Sequence, residues 1–467
     1  MQHEDLLQPK SYRDRVSTVT SAGKRNWVYA DKTSGKFYNA RNIISFFYLL
    51  IFFGMPFIKV NGMPFFMINI PDGKFIILSK IFWPQDFFIF AIAMITFIVF
   101  IIVFTVVFGR LFCGWACPQT IFMEFVFRKI EWWIEGSPNQ QRRLKDEPWG
   151  ANKILRKTFK HIVFFLVSFL IANTFLAYIL GMDELLKIIK EPVSEHIGLL
   201  AGLIFFTFLF YAVYAFVREI VCTTVCPYGR LQGVMFDKDT MQIAYDYKRG
   251  EPRGKFQKKA ERTIGDCIDC KRCVQVCPTG IDIRNGLQLE CVSCSACIDE
   301  CNIVMSRVGL PKGLIRYASE NEIATGKKFH FNTRMKAYTI LLGIMLIFMS
   351  VLIATRKIVD TSITRAPGQL YQEQPGNKIS NLFNAKIINK TNSEIPVTLK
   401  VQDSQGMLKL VGAESIILHK ESINTATFFI SFPQSYIKKH STDIKIDVYE
   451  GNEKIETIST KFLGPFI

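Results

Sequence analysis

Five stretches of the chain are apolar almost throughout, at residues 42–59, 87–108, 162–180, 197–217 and 337–354. Each is close to the ~20 residues that a helix needs to cross a bilayer, so each predicts a membrane span. Residues 60–85, between the first two spans, are punctuated by Pro and Gly. Their apolar run at 75–82 is too short to span and is expected to lie at the interface or dip into the membrane. After the fifth span the pattern changes. Short β-rich runs at 383–389, 395–401, 407–411, 415–418, 425–432, 443–449 and 454–462 are separated by Asn, Gly, Pro and Ser. Seven such strands in about a hundred residues predict an immunoglobulin-like sandwich.

The expected organisation follows from this pattern. A polar N-terminal segment occupies 1–41, and a four-span membrane domain of two hairpins occupies 42–217. A long polar segment runs from 218 to 336, a fifth span from 337 to 354, and the sandwich from 355 to 467. Composition agrees: 49% of the 467 residues are hydrophobic and 42 are Phe, too apolar for an ordinary soluble chain.

The net charge of +17 on its own suggests a nucleic-acid partner, but its distribution points elsewhere. Lys and Arg number 8 in 1–41, 3 in 59–85, 10 in 109–160, 2 in 182–196 and 20 in 218–336. Alternation of this strength is a topology signal. It puts the N-terminus, the third segment and 218–336 in the cytoplasm and the sandwich on the outer, periplasmic face of an inner membrane, with no nucleic acid as partner. Residues 1–41 lack the apolar core of a cleavable signal peptide.

All twelve cysteines fall into clusters, as in a reducing compartment rather than a disulfide framework. Eight stand within 267–301. Cys267, Cys270, Cys273 and Cys277 have the C-x2-C-x2-C-x3-C-P spacing of bacterial ferredoxins, and Cys291, Cys294, Cys297 and Cys301 repeat it without the Pro. In such runs three thiolates hold one [4Fe-4S] cube and the fourth serves the other. The expected sets are Cys267, Cys270, Cys273 with Cys301, and Cys291, Cys294, Cys297 with Cys277, within a ferredoxin domain at about 258–310. Zinc sites use separated C-x2-C pairs and fit this run poorly.

The other four form two C-x3-C-P motifs, Cys113 with Cys117 after the second span and Cys222 with Cys226 after the fourth, each preceded by an Arg (Arg110, Arg218). They read as an internal repeat. On a helix each pair would share one face, and Pro118 and Pro227 suit the first turn of a following helix whose dipole favours thiolate. Copper, zinc or an iron-sulfur centre, a thiol redox pair and plain packing remain open for these sulfurs.

Weaker candidates have plainer readings. His161 and His196 start spans three and four, on opposite sides, which argues against a shared haem. Trp132 and Trp133 suit an interfacial helix. Met55, Met63 and Met67 are read as packing rather than copper thioethers. The sequence contains neither a G-x-G-x-x-G fingerprint nor a phosphate loop, so the electrons come from another donor.

With these motifs in view the chain resembles the CcoG/FixG/RdxA family of cytochrome oxidase accessory proteins. The resemblance covers nearly the whole chain, through FCGWACPQTIFMEFVFRKIE, VCTTVCPYGRLQGVMFD, CIDCKRCVQVCPTGIDIRNGLQLECVSCSACIDEC and NAKIINKT. It implies a membrane polyferredoxin needed for assembly of cbb3-type oxidase, reducing Cu(II) to Cu(I) with electrons from a cytoplasmic donor, and oxidase subunits or copper chaperones as partners. The eight ferredoxin cysteines carry over as cluster ligands, and the four C-x3-C-P thiols as candidate copper or redox sites. No catalytic residue is assigned. Two other functions compete: a quinol-linked ferredoxin feeding a respiratory reductase, and a non-enzymatic assembly scaffold.

Overall fold

The computed structural model describes Thr18 and residues 24–465, apart from 71–72, 84–85, 256–263, 356–358, 369, 392, 413–414 and 421. Most of the expected N-terminal segment before residue 24, and residues 258–263 of the expected ferredoxin domain, lie outside the described residues. The chain folds as two units, Met1–Pro56 with Ala91–Phe348 and Phe57–Phe90 with Met349–Ile467.

Five helices among the described residues are long and apolar enough to cross a membrane: Lys36–Phe57, Phe87–Phe108, Ala151–Leu180, Ile197–Val217 and Thr333–Ala354. Only 6% of the apolar window of Phe87–Phe108 is buried inside the protein. A helix so apolar and so little covered by protein needs lipid around it. The third helix starts eleven residues before its apolar run, because its first turns are amphipathic and turn basic side chains inward. Lys153 Nζ donates to the carbonyl of Lys145 at 2.8 Å and to that of Glu147. Lys160 meets Glu135 at 2.8 Å and Glu131 at 3.4 Å.

The cysteine-rich segment of the first unit is closed on itself by a short antiparallel pair, Gln242–Tyr245 with Ile315–Ala318. Ile243, Ile281, Ile283, Ile298, Met305 and Leu314 form a small apolar core around Cys267, Cys273 and Cys301. The core is small, so the thiols themselves make up much of what the segment buries.

In the second unit nine strands make two antiparallel sheets. One runs in the order Met407–Leu410, Ile423–Pro433, Lys378–Asn389, Val359–Arg365, with Gln372–Gln374 paired to the start of Lys378–Asn389. The other runs Ile416–Leu418, Ile395–Val401, Ser441–Glu450, Glu453–Leu463. Alternate residues point inward, so Phe428, Ile430 and Phe432 meet Phe383, Ile446, Val448 and Phe462 in one core. Two strands, Val359–Arg365 and Gln372–Gln374, join the seven expected from the sequence. The first is rich in Thr, Ser, Asp and Arg and the second is Gln-Glu-Gln, which hides both from an apolar pattern.

The apolar run at 75–82 folds back on itself. It forms a hairpin, Lys74–Ile77 with Lys80–Phe82, within a three-stranded meander. Leu78 and Ser79 both have positive φ, 53° and 58°, the geometry of a tight two-residue hairpin turn. Alternation then drives Ile76 and Ile81 inward, where they pack with Met67, Trp83 and Ile388 of the sandwich. Lys390 Nζ bonds Asp86 at 2.7 Å on the same seam.

Candidate metal centre

The two ferredoxin motifs superpose in sequence with a shift of 24 residues, Cys267 onto Cys291 and so on to Cys277 onto Cys301. The backbone repeats with them. Asp269 and Lys271 have φ of 52° and 56°, and their counterparts Ser293 and Ser295 have 53° and 65°. Non-glycine residues occupy this region at a cost of about 1–2 kcal/mol each, so four of them in matched places mark a backbone bent to wrap something. Each wrap ends in a helix, Arg272–Gln275 and Ala296–Arg307.

The thiols meet across the repeat. Cys301 lies within electrostatic reach of Cys270 and Cys267, and Cys273 of Cys301 and Cys270. Cys297 reaches Cys294, Cys291 and Cys277, and both Cys291 and Cys294 reach Cys277. Cys277, Cys291, Cys294 and Cys297 line one cavity with Cys273. Burial pushes the thiols of Cys273, Cys291 and Cys301 up to about 12 and that of Cys294 to about 11. Backbone N–H groups of Ser293 and Ala296 oppose this at Cys291 and Cys294. Buried thiols of this kind are inert as free groups and become thiolates when a metal displaces the proton.

The residues fit an iron-sulfur group on structural grounds. All twelve cysteines are free, and among the described residues no three of their sulfurs lie within 4.8 Å of one another. Four ligands on a single zinc at ~2.3 Å would stand ~4 Å apart. Neighbouring thiols that stay farther apart suit a polynuclear group, in which each thiolate takes its own iron. When bound, such a group carries one electron in and out.

The C-x3-C-P motifs depart from the expected shared helix face. Helix Leu111–Trp115 stops at Ala116, and Cys117 is extended, with φ −65° and ψ 127°, before the helix opened by Pro118. Cys222 sits in the wide turn Val221–Val225, and Cys226, φ −66° and ψ 113°, precedes the helix Pro227–Met235. The cause is the proline, whose ring drives the residue before it out of the helical region.

All four sulfurs nonetheless converge. Cys113 reaches Cys117 and Cys226, Cys222 reaches Cys117, Cys113 and Cys226, and Cys117 reaches Cys226, so all six pairs are in electrostatic reach. The Cys113 thiol donates to Gln232 Oε1 at 3.4 Å. The Thr120 hydroxyl favours thiolate at both Cys117 and Cys222. Burial lifts Cys113 and Cys222 to about 12. Burial also lifts Cys117, and the N–H groups of Gln119 and Thr120 do not overcome it. The expected thiolate at the helix start is therefore a protonated thiol until something else takes its charge.

This four-thiol set abuts the Cys291–Cys297 set. Cys113 and Cys222 pack on Val276, Val292, Cys294 and Ala296. A Cβ on Gly114 would lie 2.5 Å from Val292 O, so glycine permits the approach. Trp115 Nε1 donates to the Tyr317 hydroxyl at 3.1 Å, which meets Ser295 Oγ at 2.5 Å and Ser293 O at 3.2 Å. Two cations sit at the junction. Arg110 donates to the carbonyls of Leu289 and Gly229 and its charge favours thiolate at Cys113 and Cys291. Arg41 Nε donates to Gly114 O at 2.9 Å and its charge favours thiolate at Cys294.

Arg218, next to the second motif, has φ 56° and a buried partner, Glu131, that sequence reasoning passed over, as it did Gln232, Thr120, Arg41 and Tyr317. These residues are scattered along the chain and carry no spacing. Only the Arg before each motif was a visible signal. The histidines stay apart: His161 Nδ1 pairs with the Tyr211 hydroxyl at 2.9 Å, and His196 Nε2 with Glu191 at 2.6 Å. Met67 is core.

Comparison with known proteins gives the same account. Residues 217–320 match the family of 4Fe-4S dicluster domains, 90–136 a family of 4Fe-4S binding domains, and 349–465 the Ig-like fold at the C-terminal of FixG. The nitrogen fixation protein FixG of Rhizobium meliloti is 34% identical over 316 residues, 64% of this chain and 59% of FixG. Protein RdxA of Cereibacter sphaeroides is 30% identical over 397 residues, 82% of this chain and 84% of RdxA. RdxB of the same organism is 30% identical over 391 residues, 80% and 82% of the two chains. The match thus spans less than two thirds of FixG but most of RdxA and RdxB. With its apolar helices, iron-sulfur regions and C-terminal sandwich, this membrane electron-transfer protein belongs to the FixG/RdxA family.

Proposed function

We propose that the chain passes single electrons from a cytoplasmic donor through two [4Fe-4S] centres to cupric ion, supplying Cu(I) for assembly of a cbb3-type oxidase. Cys267, Cys270, Cys273 and Cys301 hold one centre, and Cys277, Cys291, Cys294 and Cys297 the other. Cys270 is the exposed thiol of the eight, which makes its centre the entry point for a soluble donor. The observation that carries the reading is the direct packing of Cys113 and Cys222 on the loop of Cys294. It continues the line of sulfurs from the ferredoxin segment to the ends of the second and fourth spans, where cupric ion takes the electron beside Cys113, Cys117, Cys222 and Cys226. One electron reduces one Cu(II) to Cu(I), so each turn needs one electron from the donor. The basic segments that carry the cysteines face the cytoplasm and the sandwich faces the periplasm.

The test is anaerobic titration of the dithionite-reduced protein with Cu(II), followed by optical and paramagnetic-resonance spectra. Stoichiometric appearance of Cu(I) with reoxidised, intact centres supports the reading. Centres that stay reduced in excess Cu(II), or lose their iron as copper is reduced, overturn it.

A further inference from the structure

We infer that Cys113, Cys117, Cys222 and Cys226 together hold a third [4Fe-4S] centre, two ligands from each half of the repeat, so that these thiols are an electron relay rather than the ligands of a single copper or zinc ion. Three observations carry this. Every pair among the four sulfurs is in electrostatic reach, yet among the described residues no three lie within 4.8 Å of one another. Ligands of one ion would stand closer than that, and the eight ferredoxin sulfurs show the same open spacing.

The second observation is the supply of unused donors. Gln232 is fully buried beside Cys113, and its Nε2 has no partner; Arg110 Nε is likewise buried and unpaired. A buried donor left without an acceptor is costly, and the sulfides and thiolates of an anionic cluster are the acceptors these two lack. Arg110 supplies a positive charge at the same place. The third is position. The set touches the Cys291–Cys297 loop, so a centre there extends the electron path by one step.

Loading replaces four S–H bonds by four Fe–S bonds and releases four protons, with iron and sulfide delivered as an assembled cluster. The inference stands whether or not cupric ion is the final acceptor, and the test uses no copper. Iron and acid-labile sulfide are counted on the full-length protein in detergent, reconstituted anaerobically with iron and sulfide. About twelve irons per chain are expected. Cys113→Ser with Cys117→Ser is expected to remove about four rather than two, because the halves share one centre. A chain in which all eight ferredoxin cysteines are Ser is expected to keep about four irons and a [4Fe-4S] spectrum that Cys222→Ser then abolishes. This second arm does not depend on the fate of the first variant. About eight irons in the wild type, or an eight-cysteine variant that binds no iron but takes up one Cu(I) or Zn(II), overturns the inference.

Discussion

Glu131 and Arg218 form a two-pronged ion pair, Nη1 to Oε1 at 2.9 Å and Nη2 to Oε2 at 3.0 Å, with 4% and 2% of their side chains exposed. The pair fastens the end of the fourth span to helix Arg128–Glu135 and holds Arg218 in a backbone conformation that favours glycine. In the first half of the repeat Gly109, φ 57°, stands at the matching place, four residues before Cys113 as Arg218 stands before Cys222. The second half has an arginine and a partner in place of the glycine.

Removing one member of a buried pair leaves the other charge uncompensated, at a cost of about 3–5 kcal/mol. Glu131→Gln is therefore expected to lower the unfolding temperature of the detergent-solubilised protein. Arg218→Lys, which keeps the charge but not the fork, should cost less. Equal losses from both would show that the charge alone contributes nothing without the fork.

The same pair gives a pH dependence. Burial alone would raise the Glu131 carboxyl, but the charge and hydrogen bonds of Arg218 hold it down at about 2. An unfolded Glu titrates near ~4.3. Because the folded value is the lower one, the stabilisation is fully present above about pH 4.3 and is lost as pH falls toward 2. Unfolding followed from pH 6 to pH 3 should show a decline in wild type that Glu131→Gln lacks below about pH 4.

Gly114 lets the Cys113 helix touch the Cys291–Cys294 loop. A methyl group there meets backbone, Val292 O at 2.5 Å and Ser293 O at 2.8 Å, so one of the two must move. Gly114→Ala is expected to leave the iron content intact and slow the reoxidation of the reduced centres by Cu(II). An unchanged rate would place the electron's exit elsewhere.

The crossing of ligands between repeats can be read by deletion. Cys301→Ser and Cys270→Ser should abolish the same paramagnetic signal, and Cys277→Ser and Cys294→Ser the other. If Cys301→Ser instead deletes the signal lost in Cys294→Ser, each motif holds its own cluster.

Lys390 joins the sandwich to the loop between the first two spans through Asp86, at 2.7 Å and with 5% and 8% of the side chains exposed. Lys390→Met should destabilise this unit by about 3 kcal/mol, by stranding the buried carboxylate of Asp86. Adding Asp86→Asn should restore part of the loss. A double variant no better than the single one would show that the pair contributes little.

Much of this was legible in the chain because it rests on one-dimensional signals. Apolar length marks the spans, and the cysteine spacing marks which sulfurs belong to one segment. Thr425 to Phe432 alternates, and the strand Ile423–Pro433 forms there. What escaped depends on tertiary partners. Helix Ala151–Leu180 continues through Lys153 and Lys160 because carbonyls and carboxylates await them, and no local pattern announces that. The run at 75–82 reads as membrane-seeking until Ile388, three hundred residues on, is seen to cover its Ile76 and Ile81. The C-x3-C-P motif invites a helical reading of its spacing, and its own proline breaks the helix.

That distance along the chain has a bearing on biogenesis. Met67, Trp83 and their neighbours are synthesised early, yet the strand that shelters them, Lys378–Asn389, comes near the end. Until the last fifth of the protein is made, the first loop presents a bare apolar hairpin, and Asp86 lacks its lysine. A truncated or stalled chain keeps that hairpin uncovered, so the loop reports on whether synthesis has been completed, and quality-control proteases that recognise uncovered apolar segments have a mark by which to remove the unfinished product.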